Sequence, residues 1–326
     1  MMCLLGMPIQ LYMVQTKTEP HCFLNRDYTC LLRGICMIMI VVSHTVNEFT
    51  ELLIQYHLNS IWICGKFATG IFFFLSGYGL TLSIKRNKVD SVYIFRHIRN
   101  LIYPYFIFWL FYFLTGLCVG RFSSGNIPYI DFLFLKMPNA DTWFFRTILG
   151  VYIVYFAMAR FIKPFANICI AVIIILYVFV LAYLGVSSWW WNTILCFPVG
   201  ILYANYSHLL AKSASIKSLL FIICLFIISY KYVPSYYVRE ICPAVICCLF
   251  FAYLSLRVSI PLKKSIMPIS IVSFIGQNSL YMYFMETIPI DYMDPKEAGF
   301  IVFVFGSIIA TIVLTYLGKR AETYLL

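Results

Sequence analysis

Arg33 and His44 are ionisable residues in a run, Leu31 to His44, that is otherwise almost wholly apolar. In an α-helix their eleven-residue spacing is a rise of about 16 Å and about three turns, which leaves both side chains on nearly one face. An ionisable side chain is costly inside a membrane, so it points to function. The two groups offer different chemistry. A guanidinium presents a fork that suits phosphate, whereas a neutral imidazole can take a proton from a hydroxyl. Together they suit a ligand with a polyanionic head at the membrane surface and a reactive atom near mid-bilayer. Glu48 falls one turn beyond His44 and could hold the imidazole in one tautomer through its other ring nitrogen. Taken alone, His44 also reads as a histidine bonded to a neighbouring helix.

A second basic constellation follows at Lys85-Arg86-Asn87-Lys88 and Arg96-His97-Ile98-Arg99. Arg96 and Arg99 are three residues apart, share a helix face and could hold two anionic groups of one ligand. The plainer reading is topological: basic loops stay cytoplasmic and touch anionic lipid heads. Four further charges, Glu48, Lys66, Arg146 and Glu286, fall at one depth in the outer third of the membrane. They would either pair with each other or form the receiving end for a polar acceptor. Trp143 and the Trp189-Trp190-Trp191 run mark the outer interface.

The elements that must position these residues are membrane helices. Of 326 residues, 62% are hydrophobic and 11% charged, with a mean hydropathy of +0.88. Soluble domains carry about 25% charge. The runs near 20 residues, such as Ile168 to Leu184, lack the alternation of a membrane β-barrel. The reading is an all-α polytopic membrane protein of about ten spans: 31–49, 61–83, 99–119, 142–160, 166–184, 188–206, 217–232, 238–257, 270–290 and 299–318. With an even count both termini share one side. Placing them in the cytoplasm puts seventeen Lys and Arg inside and five outside, with Lys66 and Arg146 within spans. The net charge of +11 is therefore read as topology, not nucleic-acid binding. Most of the twelve cysteines lie in apolar runs, none in a CxxC pair, and are read as small buried hydrophobes, with no metal expected. Residues 1–24 read as a leader, apolar over the first fourteen and without signal-peptide features, either a loose segment or an overextended start, and 25–326 as one transmembrane domain.

These segments resemble the membrane-bound acyltransferase-3 family, whose bacterial members O-acetylate surface polysaccharides and related glycans. The stretch from Asn25-Arg26-Asp27-Tyr28 through Leu32-Arg33-Gly34 to His44 is similar to the family's first helix, an arginine and a histidine with ten residues between. Phe72-Phe73-Phe74-Leu75-Ser76-Gly77-Tyr78 resembles its second-helix signature, Arg96-His97-Ile98-Arg99 its RxxR pair and Trp143-Phe144 its WF element. Phe197-Pro198-Val199-Gly200-Ile201-Leu202 and Gly276-Gln277-Asn278-Ser279-Leu280-Tyr281-Met282-Tyr283 are similar to two later segments. Glu286 stands where the family commonly has a histidine, and Arg146 after the WF element is also unusual.

The resemblance implies acetyl-CoA, or a related acyl-CoA, as cytoplasmic donor. Its phosphates would rest on Arg33, Arg96 and Arg99, with His44 as general base beside Glu48. The acceptor, a hydroxyl of a cell-surface or lipid-linked glycan, would enter near Lys66, Arg146 and Glu286. A multi-pass inner-membrane location is implied. The competing reading is a glycan polymerase or a lipid-linked sugar transporter. The sequence has no internal repeat to favour the transporter and no large external loop to favour the polymerase.

Overall fold

The computed structural model describes residues 24, 26–51, 61, 63–120, 132, 142–213, 215–257 and 267–325. The expected leader to residue 23 and most of the loop at 120–141 lie outside the described residues. Among those described there is helix and no strand. The helices are α1 (Arg26–Asn47), α2 (Ile63–Arg86), α3 (Ser91–Cys118), α4 (Trp143–Phe161), α5 (Ala166–Tyr183), α6 (Cys196–Ser213), α7 (Ile216–Ile227), α8 (Tyr236–Arg257), α9 (Met267–Gln277), α10 (Ser279–Met285), α11 (Thr287–Tyr292), α12 (Pro295–Ala298) and α13 (Phe300–Leu325).

Seven of these, α1 to α5, α8 and α13, are long and apolar enough to cross a membrane. The other three expected spans have a different form. The segment from Ser188 starts as a 3-10 turn and becomes α-helical only at Cys196. The twelve residues of α7 run into a π-helical turn at Ile228–Tyr232. The segment expected at 270–290 is broken twice, at Asn278 and at Glu286. Pro289 accounts for the second break: it has no N–H to offer the carbonyl of Met285 one turn earlier. At Asn278 the side-chain amide bonds the carbonyl of Phe274 at 2.9 Å. Interrupted helices at membrane depth are tolerated where protein surrounds them, and residues 281 to 289 are all buried.

The outward faces fit a hydrocarbon surround. On α5, Ile170, Ile174 and Val178 are buried at four-residue spacing, while Ile168, Ile175, Leu176 and Phe179 face outward. Cys36, Cys196 and Cys248 are buried as expected, but Cys118 and Cys224, also in apolar runs, are exposed, which corrects the expectation for those two.

α2 packs most extensively on α6, and α1 on both α2 and α9. Two of these crossings are backbone to backbone. A Cβ on Gly34 would fall on the carbonyl oxygen of Val272, and one on Gly276 would fall on that of Cys30, so α1 and α9 touch main chain to main chain. Gly77 and Gly200 do the same for α2 and α6, against the carbonyls of Phe197 and Phe74. Small residues at such crossings let membrane helices approach closely. Gly34→Ala should therefore lower the thermal unfolding midpoint of the purified protein, by an overpacking cost of about 1–3 kcal/mol. Gly79→Ala, where a Cβ meets nothing within 4 Å, should leave it unchanged. Equal midpoints for the two variants would count against the crossing.

Candidate active site

The imidazole of His44 and the carboxyl of Glu286 meet, with Nδ1 and Oε1 3.0 Å apart across 242 residues of sequence. The two side chains differ in exposure, 52% for His44 and 3% for Glu286. A carboxylate can only accept, so with Glu286 ionised Nδ1 carries the hydrogen and Nε2 holds the lone pair. The segment that carries the acid is anchored by aromatic packing. Phe284, two residues before it, stands edge-on to Phe145 with ring centroids 5.0 Å apart, and Phe145 stacks on Tyr105 at 5.6 Å. The other carboxyl oxygen, Oε2, is buried without a hydrogen-bond partner. This geometry corrects the expectation for Glu48. α1 ends at Asn47, so Glu48 lies in the following turn, exposed, and Glu286 takes the position beside the imidazole.

Arg33 lies three turns back along the same uninterrupted helix and is partly buried. Tyr152 of α4 is within its electrostatic reach and also lies close to Ser76 of α2 and to Tyr93 of α3. Tyr93 fastens the start of α3: its hydroxyl donates to Ser83 Oγ at 2.6 Å, and its ring and that of His97 both stand edge-on to Phe156 of α4. The turn after Tyr93 carries Arg96 and Arg99, both exposed and neither in an ion pair with a described acid. Asp90 begins this helix by accepting from the backbone N–H of Tyr93 at 2.8 Å. A half-exposed base braced by a buried acid thus stands near one end of α1, with Arg33 about three turns away toward its other end.

A model of the acyltransferase-3 family, described as an acyltransferase domain, matches residues 27–320. The chain belongs to the acyltransferase-3 family. It is an enzyme that transfers acyl groups, and its apolar helices make it a multi-pass membrane protein. The readings as polymerase or sugar transporter fall with that match. No curated protein and no solved structure matches the chain.

Within this acyltransferase the family-like segments meet one another. Trp143 and Phe144 pack on Phe73 of the second-helix signature, and Phe144 also stands edge-on to Tyr283 at 5.5 Å. The glycines of four of those segments are the ones that make the two backbone crossings. Much of what looks like signature is therefore packing that holds α1, α2, α6 and α9 together.

The four charges expected to share one depth are not paired with each other. Lys66 Nζ bonds Glu240 Oε2 at 2.7 Å, and Asn192 donates to the same oxygen at 3.1 Å. Glu286 belongs to His44, Glu48 is exposed, and Arg146 places its guanidinium carbon 4.8 Å from the Trp190 ring centroid. Glu240 and Tyr152 are the residues that sequence reasoning missed. An acid in the first turns of a span, on the side already assigned to Lys66, was a usable signal for Glu240. Nothing in the pattern singles out Tyr152 among 25 tyrosines.

Proposed function

We propose that this enzyme moves an acetyl, or similar acyl, group from cytoplasmic acyl-CoA to a hydroxyl of a cell-surface or lipid-linked glycan. The observation that carries the reading is the His44–Glu286 pair on the same helix face as Arg33. The acceptor oxygen attacks the thioester carbonyl carbon while His44 Nε2 takes its proton. The C–S bond then breaks, the imidazolium returns the proton to the departing thiolate, and an ester and free CoA result. Glu286 keeps the ring oriented and offsets the positive charge that forms on it. Arg33, Arg96 and Arg99 supply charge for the donor phosphates. In this reading the enzyme lies in the inner membrane with ten crossings and both termini cytoplasmic, and α6, α7 and the broken segment α9–α11 provide the remaining three. Acceptor chemistry belongs to the outer side of His44.

The test is incubation of purified enzyme with radiolabelled acetyl-CoA and glycan from a strain lacking the gene. Label on the glycan is expected. No label, together with unchanged glycan acetylation in the deletion strain, would overturn the proposal. For the donor site, Arg96→Ala combined with Arg99→Ala should weaken CoA binding, by about tenfold or more for two charge-assisted contacts. Unchanged affinity by calorimetry would assign both arginines to topology alone.

A further inference from the structure

A cavity of about 300 Å³, lined by neither His44 nor Glu286, lies between α4, α5 and the turn before α6. Its long walls are apolar, with Val151, Val154, Ile170 and Ile174 among them. Arg146, Tyr177 and Trp190 close one end. From Arg146 to Val154 is eight residues of helix, a rise of about 12 Å, so a polar end leads into a hydrocarbon strip of that length. Nε of Arg146 is buried without a hydrogen-bond partner, and no described acid pairs with this arginine. A cation within the membrane that no described acid of its own protein neutralises favours an anion from the bilayer.

We propose that this cavity is a binding site for an anionic phospholipid, its phosphodiester on Arg146 and one acyl chain along Val151, Val154 and Ile174. The charge match selects the ligand. Among the described residues Arg146 is the only Lys or Arg that lines the cavity and no acid lines it, which suits one negative charge and not the two or more of a diphosphate. Trp190 and Tyr177 stand at the level of the head, where amphipathic rings are favoured. The proposal does not depend on the acyl donor or acceptor.

The test is native mass spectrometry of the delipidated full chain offered phosphatidylglycerol, phosphatidylcholine or a polyprenyl diphosphate. One phosphatidylglycerol should be retained in preference to the other two. Arg146→Gln should weaken that retention about tenfold or more. Gly150→Leu should abolish it with the unfolding midpoint unchanged, because Gly150 lines the cavity and a Cβ there meets nothing within 4 Å. The second variant decides the matter if the first does not fold. Retention at the wild-type level in both variants, or equal retention of phosphatidylcholine, would overturn the assignment. So would displacement of phosphatidylglycerol by the diphosphate, which would make the cavity a carrier site instead.

Discussion

Replacing His44 by alanine is expected to lower acyl transfer about 10²- to 10⁴-fold while acyl-CoA still binds, since general-base assistance contributes that much. The experiment needs a second variant. Glu286 is buried, and removing its partner leaves an acid without compensation, a loss that costs about 3–5 kcal/mol when the acid stays charged. A dead, poorly folded His44→Ala protein would not separate chemistry from stability. His44→Gln retains an amide N–H to offer the carboxylate but has no basic nitrogen, so it should fold and bind donor, yet transfer as slowly as the alanine variant. Transfer by His44→Gln near the wild-type rate would remove His44 from the mechanism. Equal loss of transfer and of donor binding in both variants would make the residue structural.

The second large effect belongs to Glu286, which acts through His44 and is a positioning residue. Glu286→Ala should reduce kcat by between about 10² and 10⁴, with KM for acyl-CoA nearly unchanged, because the ring loses its orientation and the forming imidazolium its counter-charge. Glu286→Asp keeps the charge one methylene further away and should recover part of kcat. A purely structural role predicts something else: less folded protein, a lower unfolding midpoint and no selective recovery with aspartate. Steady-state kinetics together with the unfolding midpoint of each variant decides between these outcomes.

The membrane class and the places of the helices were legible because apolar length is a local property. Ile168 to Leu184 announces α5 without reference to any other part of the chain. The same reasoning read residues 270–290 as one continuous helix, whereas the segment is divided at Asn278 and Glu286 into short helices. Hydropathy measures what a segment buries and is blind to where its hydrogen-bond ladder stops. The site divides in the same way. Arg33 and His44 share a continuous helix, so their relation could be read from spacing alone. The partner of His44 could not, because it comes from 242 residues away and the nearer acid, Glu48, was the natural expectation. In the structure α1 stops at Asn47, Glu48 is exposed in the turn after it, and the imidazole meets Glu286 instead. Lys66 and Glu240 repeat the lesson over 174 residues. Pairings between helices depend on which helices adjoin, and a single sequence does not carry that.

The crossing of α1 on α9 at Gly34 has one more consequence. With main chain against main chain, α1 has no side chain there to yield, so the helix cannot slide or turn about its axis without lifting away from Val272. Arg33 is the residue next to that contact, and His44 stands on the same rigid rod. In the proposed reaction the rod is a gauge with two marks about 16 Å apart. It measures the distance from a phosphate to a thioester, which is the same for every acyl-CoA, and it takes no measure of the acyl group. Adding one residue between the marks would lengthen the gauge by only about 1.5 Å but would swing one mark about 100° from the other. Tolerance for different acyl groups must then be built beyond the second mark, among the side chains around Glu286.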